Sequence, residues 1–267
     1  MKKSIIAFIL SILSYVINVQ AQDSIIGIVE YHFIINNPNG TSFANPYLLY
    51  FNNQASFYKG ISKTPIKLKN TQKEEDQFLN DEKIVENIEI STLPSNYVYS
   101  NFVGNTLIFR EKLNNKPFRV QDEIETINWE LSDERKKIGK YACQKAKGFY
   151  RGRTYTIWFT SDIPVSHGPW KLRGLPGLIL EASDERSLYG FRAIKIDLNP
   201  EYDSVKNSLK EPNEDKQESM EEYKIAIKNK LRDYEAMILA SMPRGTKVKK
   251  NCEECPKAED LNLEIFE

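Results

Sequence analysis

The chain has 267 residues, 37 Lys+Arg against 37 Asp+Glu, and a formal net charge of zero. That balance excludes a general nucleic-acid binder or a polybasic membrane-surface protein, both of which need a basic excess. Three Cys, 12 Gly and 12 Pro exclude a disulfide scaffold and a collagen-like chain.

The N-terminus reads as an export leader. Lys2 and Lys3 precede an uncharged apolar run from Ile5 to Val19, and Val19-Gln20-Ala21 supplies small residues at a cleavage point. Ser11, Ser14 and Asn18 interrupt the run, which is shorter than the ~20 residues of a spanning helix. The expectation is cleavage after Ala21 and an exported protein in the periplasm or outside the cell, with no transmembrane segment in the mature chain.

Alternation of apolar and polar residues from Ile25 to Ile34 marks a half-buried strand. Asn36-Asn37-Pro38-Asn39-Gly40 is a turn cluster, and Tyr47–Phe51 and Ala55–Tyr58 follow as strands. Ser62 to Glu86 is polar and low in aromatics, so it reads as a loop. Tyr97–Phe102 and Thr106–Leu113 form a hairpin around Gly104-Asn105, and Val120 to Trp129 starts another extended run. Lys140–Tyr150 and Arg153–Thr160 flank Arg151-Gly152, with Tyr155, Ile157 and Phe159 on one face of the later strand. Leu178–Ala182 and Ser187–Asp197 make a third hairpin.

Pro200 to Gln217 is polar and reads as a linker. From Ser219 to Met242, Met220, Tyr223, Ile227, Leu231, Tyr234 and Ile238 recur at spacings of three and four, an amphipathic helix that Pro243 stops. The expected organisation is therefore a leader (1–21), a β-rich domain (22–197), a linker and helix packing on it (198–243), and a charged tail (244–267). The expected fold class is α+β: a curved, mostly antiparallel sheet forming an open half-barrel, with one late helix as a cover.

The most distinctive stretch is 162–180, with Gly168-Pro169, then Trp170, Lys171 and Arg173, then Gly174-Leu175-Pro176-Gly177-Leu178-Ile179. Leu175-Pro176-Gly177-Leu178 fits a type II turn, with Pro176 presetting φ and Gly177 supplying a positive φ. The hexapeptide 174–179 resembles, letter for letter, the signature of the GLPGLI family. Trp158-Phe159-Thr160, Ile163-Pro164 and Tyr141-Ala142-Cys143-Gln144-Lys145-Ala146 are similar to its extended pattern. The resemblance is concentrated between residues 129 and 197. It implies an exported bacterial protein and carries over no catalytic residues.

Two readings of the 161–173 segment stand side by side. In one it is a ligand-binding lip, with His167, Lys171 and Arg173 meeting a polar group and Trp170 forming an apolar wall. In the other it is a structural corner whose Trp is packed and whose charges are solvated. A hydrolase would need His167 within reach of Asp162 or a distant carboxylate. His32 lies with Glu30 on the polar face of its strand and reads as solvated. Cys252 and Cys255 form a CxxC in the charged tail, read as a local disulfide or idle thiols ahead of a redox or metal-handling pair. Cys143 reads as a small buried side chain. No phosphate-loop pattern appears, and no cofactor or metal is expected. With 14 Tyr and 13 Phe, an aromatic concave sheet face could hold an apolar ligand or a peptide, or dock an envelope protein. The sequence thus favours a non-catalytic binding or accessory protein.

Overall fold

The computed structural model of the protein describes residues 25–37, 40–61, 66–68, 96–114, 116–213, 216–241 and 262–266. The leader, most of the 62–86 stretch and the Cys252/Cys255 pair lie outside the described residues. The strands are β1 (Gly27–Asn36), β2 (Ser42–Phe51), β3 (Ala55–Gly60), β4 (Ile66–Leu68), β5 (Tyr97–Asn101), β6 (Thr106–Leu113) and β7 (Lys116–Glu123). They continue as β8 (Trp129–Ile138), β9 (Tyr141–Tyr150), β10 (Arg153–Thr160), β11 (Leu178–Asp184), β12 (Tyr189–Asp197) and β13 (Gln217–Glu218). The helices are α1 (Tyr202–Ser208) and α2 (Met220–Ser241).

All the strands belong to one sheet. Its order is β13-β7-β6-β5-β3-β2-β1-β12-β11-β10-β9-β8, with β4 paired off this path against β2. Every pairing is antiparallel except β13 with β7. The sheet is mixed, and its two edges, β13 and β8, do not pair with each other. The α+β expectation is therefore overturned, and with it the antiparallel half-barrel closed by helical segments. The chain is mostly β, one large open sheet with two helices among the described residues. The extra strands come from places where periodicity is silent. β8 has no buried residue and carries Glu130, Asp133, Glu134, Arg135, Lys136 and Lys137, charges that protect an edge from further pairing. β4 sits within the stretch expected to be a loop, and α1 and β13 sit within the stretch expected to be a linker.

The two halves of the sheet share one core. Val29, Leu49, Phe109 and Val120 pack in the same cluster as Tyr141, Cys143, Leu178 and Leu180, with Tyr223 and Ile227 of α2 against them. Each such side chain contributes about 1.5–3 kcal/mol on burial. A second cluster contains Tyr155, Ile157 and Phe159, the face expected of β10, together with Ile179 and Phe191. α1 covers another face of the sheet, where Val205 meets Ile28, Leu48 and Tyr50. A reciprocal cap starts α2: Glu222 N–H donates to Ser219 Oγ at 3.1 Å, and Ser219 N–H donates to Glu222 Oε2 at 2.9 Å. No described helix is long and apolar enough to cross a membrane.

Candidate functional site

The 161–177 segment leaves β10 and returns as β11. It turns back on itself through backbone bonds, from Leu178 N–H to Ile163 O (3.0 Å), Ile179 N–H to His167 O (3.0 Å) and Gly174 N–H to Ser166 O (3.2 Å). The glycines work differently from the expected type II turn. Gly177 does not have a positive φ; Gly174 does, at +91°. Gly177 is needed because a Cβ there would lie 2.1 Å from the Thr160 carbonyl oxygen. The Tyr31 hydroxyl then donates to Ile179 O at 2.6 Å, fixing the end of the corner to β1.

His167 is buried and faces no acid. Its Nε2–H donates to the Asn52 carbonyl at 2.8 Å, and its ring stacks on Phe102 with centroids 4.7 Å apart. Burial pushes its pKa down to about 4, so the imidazole is neutral near pH 7. Asp162 is exposed and accepts a bond from Ala142 N–H at 3.2 Å. His167 and Asp162 share no hydrogen bond, so the pairing that a hydrolase would use is not assembled.

Lys171 and Arg173 are also buried rather than solvated. Lys171 Nζ pairs with Glu264 Oε1 at 2.5 Å and lies 3.5 Å from the centre of the Phe109 ring. The Arg173 guanidinium donates to the carbonyls of Lys171 (2.6 Å) and Glu125 (3.1 Å). Trp129 Nε1–H reaches the Arg173 carbonyl at 2.8 Å. Of the four candidate ligand-binding residues, Trp170 is the one that lines the cavity beside Phe109 and Glu264. Lys171 stands behind its wall, against the lining residues Phe109 and Glu264, and His167 lies elsewhere.

The cavity has a volume of about 230 Å³. Strand register builds its aromatic wall. Phe33 of β1 stands directly opposite Phe191 of β12, and Ile35 opposite Tyr189. Trp170, Phe191, Phe33 and Tyr189 make a ladder of near-parallel rings at 6.2, 5.0 and 5.8 Å, and Tyr47 stacks on Tyr58 at 4.6 Å beside it. Such aromatic pairs contribute about 0.5–1.5 kcal/mol each beyond the area they bury. Trp170 holds its place at φ +56°, a left-handed conformation that is rare for so bulky a residue and costs on the order of 1–3 kcal/mol.

Polar groups interrupt this wall. The Tyr58 hydroxyl is buried with no hydrogen-bond partner, and burial holds its pKa well above the ordinary tyrosine value. Glu111 accepts the Tyr223 hydroxyl at 2.6 Å; burial raises its pKa, and Lys230 opposes that. The aromatic set was not singled out residue by residue in the sequence. Its signal is aromatic residues two apart on strands, Tyr31 with Phe33 and Tyr189 with Phe191, which point to one face.

The fold and this cavity define a mostly β protein with a partly open pocket that has an aromatic wall. Residues 150–181 match a family described as "Protein of unknown function (Porph_ging)". No curated protein matches the chain. Among solved structures it is similar to PNGF-II in the C2 space group, at 17% identity and TM-score 0.48, over 76% of this chain and 32% of that one. It is also similar to PNGF-II in the P21 space group, at 18% identity and TM-score 0.46, over 77% of this chain and 34% of that one. The chain thus spans about a third of the length of these structures. Among the described residues no group of His, Cys, Asp and Glu is arranged to hold a metal ion.

Proposed function

We propose that this is an exported, non-catalytic binding protein that holds a small amphipathic ligand, with a ring or short apolar body, in the aromatic cavity. One observation carries the reading: Trp170 keeps an unfavourable backbone conformation while its ring completes the stacked wall of the cavity. Strain retained at a bulky residue is a mark of a functional constraint. The volume, about 230 Å³, suits a ligand smaller than a drug-sized one. The buried Tyr58 hydroxyl offers such a ligand a polar anchor. The leader at residues 1–21 supports export to the periplasm or the cell exterior.

Native mass spectrometry of protein purified from its own host tests the proposal. A bound small molecule at one per chain, lost or weakened at least tenfold in Trp170→Ala, supports it. A bare chain that binds nothing from an envelope extract, with Trp170→Ala behaving alike, rejects it.

A further inference from the structure

The described C-terminal residues 262–266 lie against the body of the protein without forming a strand. One backbone bond holds them, from Ile265 N–H to the Arg151 carbonyl at 3.0 Å. Side chains supply the other anchors. Arg153 grips the Asn262 carbonyl with two N–H groups, at 3.1 and 2.6 Å, and is itself aimed by a 2.7 Å bond to Asp184. Asn262 Nδ2 donates to the Ile227 carbonyl at 3.3 Å. Lys171 takes the Glu264 carboxylate, and the Phe266 ring meets Tyr223 edge-on at 6.1 Å.

Gly152 makes room for the segment. A Cβ on Gly152 would lie 2.5 Å from Ile265 Cβ and 2.6 Å from its carbonyl oxygen. The Arg151–Gly152 turn, with φ of +49° and +78°, thus presents the backbone of Gly152, without a side chain, to Ile265 of the segment. These contacts read main chain through Arg153 and Arg151, and one acidic side chain through a buried ammonium. The fit is incomplete. Glu264 Oε2 and Arg151 Nε form a long ion pair at 3.9 Å in which neither atom makes a hydrogen bond, while Arg151 Nη2 is held by Asp122 at 2.6 Å and Glu125 at 2.9 Å. A carboxylate within hydrogen-bonding distance of both cations would bind better.

We infer that the groove formed by Arg151, Gly152, Arg153, Lys171 and Tyr223 is a binding site for a short peptide carrying an acidic residue between apolar ones. In this state the chain's own Asn262–Phe266 segment fills it in cis as a competitor. The inference stands apart from the cavity's small ligand. It has one consequence for the cavity: Leu263 and Glu264 form part of its wall, so a peptide that displaces the segment changes that wall.

The test uses full-length protein. A fluorescent peptide of residues 262–267 is titrated against wild type and against two variants that weaken the cis segment, Glu264→Gln and Ile265→Gly. The expected result is saturable binding at least tenfold tighter to the variants than to wild type. The same peptide carrying Glu264→Gln should lose at least tenfold on either variant. Hydrogen exchange at the Ile265 amide should rise in both. Folded variants that bind no peptide up to millimolar concentration overturn the inference, as does binding indifferent to the peptide's acid. Loss of folding in both variants also overturns it, because the segment is then obligate core rather than the occupant of a site.

Discussion

The Lys171 ammonium and the Glu264 carboxylate meet at 2.5 Å although 93 residues separate them, and their side chains are 0% and 2% exposed. Burial lowers the Lys171 pKa, and Glu264 opposes that shift. An isolated charge in this position would be costly, and the pair recovers little more than its own desolvation. Lys171→Met alone leaves the buried Glu264 with only the longer ion pair to Arg151, at 3.9 Å, and is expected to destabilise the protein by up to about 3–5 kcal/mol. The double variant Lys171→Met/Glu264→Gln should recover most of that loss. Urea denaturation of wild type, Lys171→Met, Glu264→Gln and the double variant, read as a double-mutant cycle, checks both expectations.

Gly174 and Gly177 differ in what they require of their positions, and substitution separates them. Gly174 is exposed at φ +91°, and a Cβ there would only touch the Trp129 ring at an ordinary van der Waals distance of 3.6 Å, so the cost of Gly174→Ala is backbone strain, about 1–2 kcal/mol. Gly177 faces the Thr160 backbone at 2.1 Å from its ideal Cβ, so Gly177→Ala forces β10 and the corner apart. That variant is expected to cost more than Gly174→Ala, at or beyond about 3 kcal/mol. Thermal unfolding of the two alanine variants side by side gives the order. Equal losses would mean that the corner relaxes.

The contrast shows where the sequence was readable. Local rules were enough for the face of β10 that buries Tyr155, Ile157 and Phe159, and for the Arg151–Gly152 turn, where both residues take positive φ. They were not enough for β8, which is charged on both faces because it is an edge. β13 was hidden for a different reason. It is held in place from across the chain by Arg119, which donates to the Pro212 carbonyl at 2.9 Å and to Gln217 at 3.3 Å. At the candidate site, Lys171 and Arg173 looked like solvated or ligand-facing charges because the partner of Lys171 lies in a tail with no period. His167 looked accessible because its bond to Asn52 spans 115 residues.

His167 should make stability depend on pH. Its pKa falls from 6.5 to about 4 on folding, chiefly through burial, so the unfolded chain binds more protons between those values. The stabilisation is complete above pH 6.5 and is lost as pH falls toward 4, by about 3 kcal/mol. Unfolding free energies measured in urea from pH 7.5 to 4 should show this slope in wild type. His167→Gln keeps a donor for Asn52 and removes the titration, so its curve should be flatter by about that amount. Parallel curves would place the neutral imidazole elsewhere.

Cys143 tests how tightly the sheet closes over its core. The side chain is 1% exposed, and its thiol lies 3.7 Å from the Tyr141 carbonyl. Burial raises its pKa to about 11, with Asp162 and Glu181 adding to the shift, so little thiolate is present at pH 8. In a Cys252→Ser/Cys255→Ser background, a thiol reagent such as DTNB should find no fast-reacting group in the native protein. One equivalent should react once urea unfolds it. Fast reaction of the folded variant at pH 8 would mean that β9 opens readily, and the core shared between the two halves of the sheet would then be far looser than its packing implies.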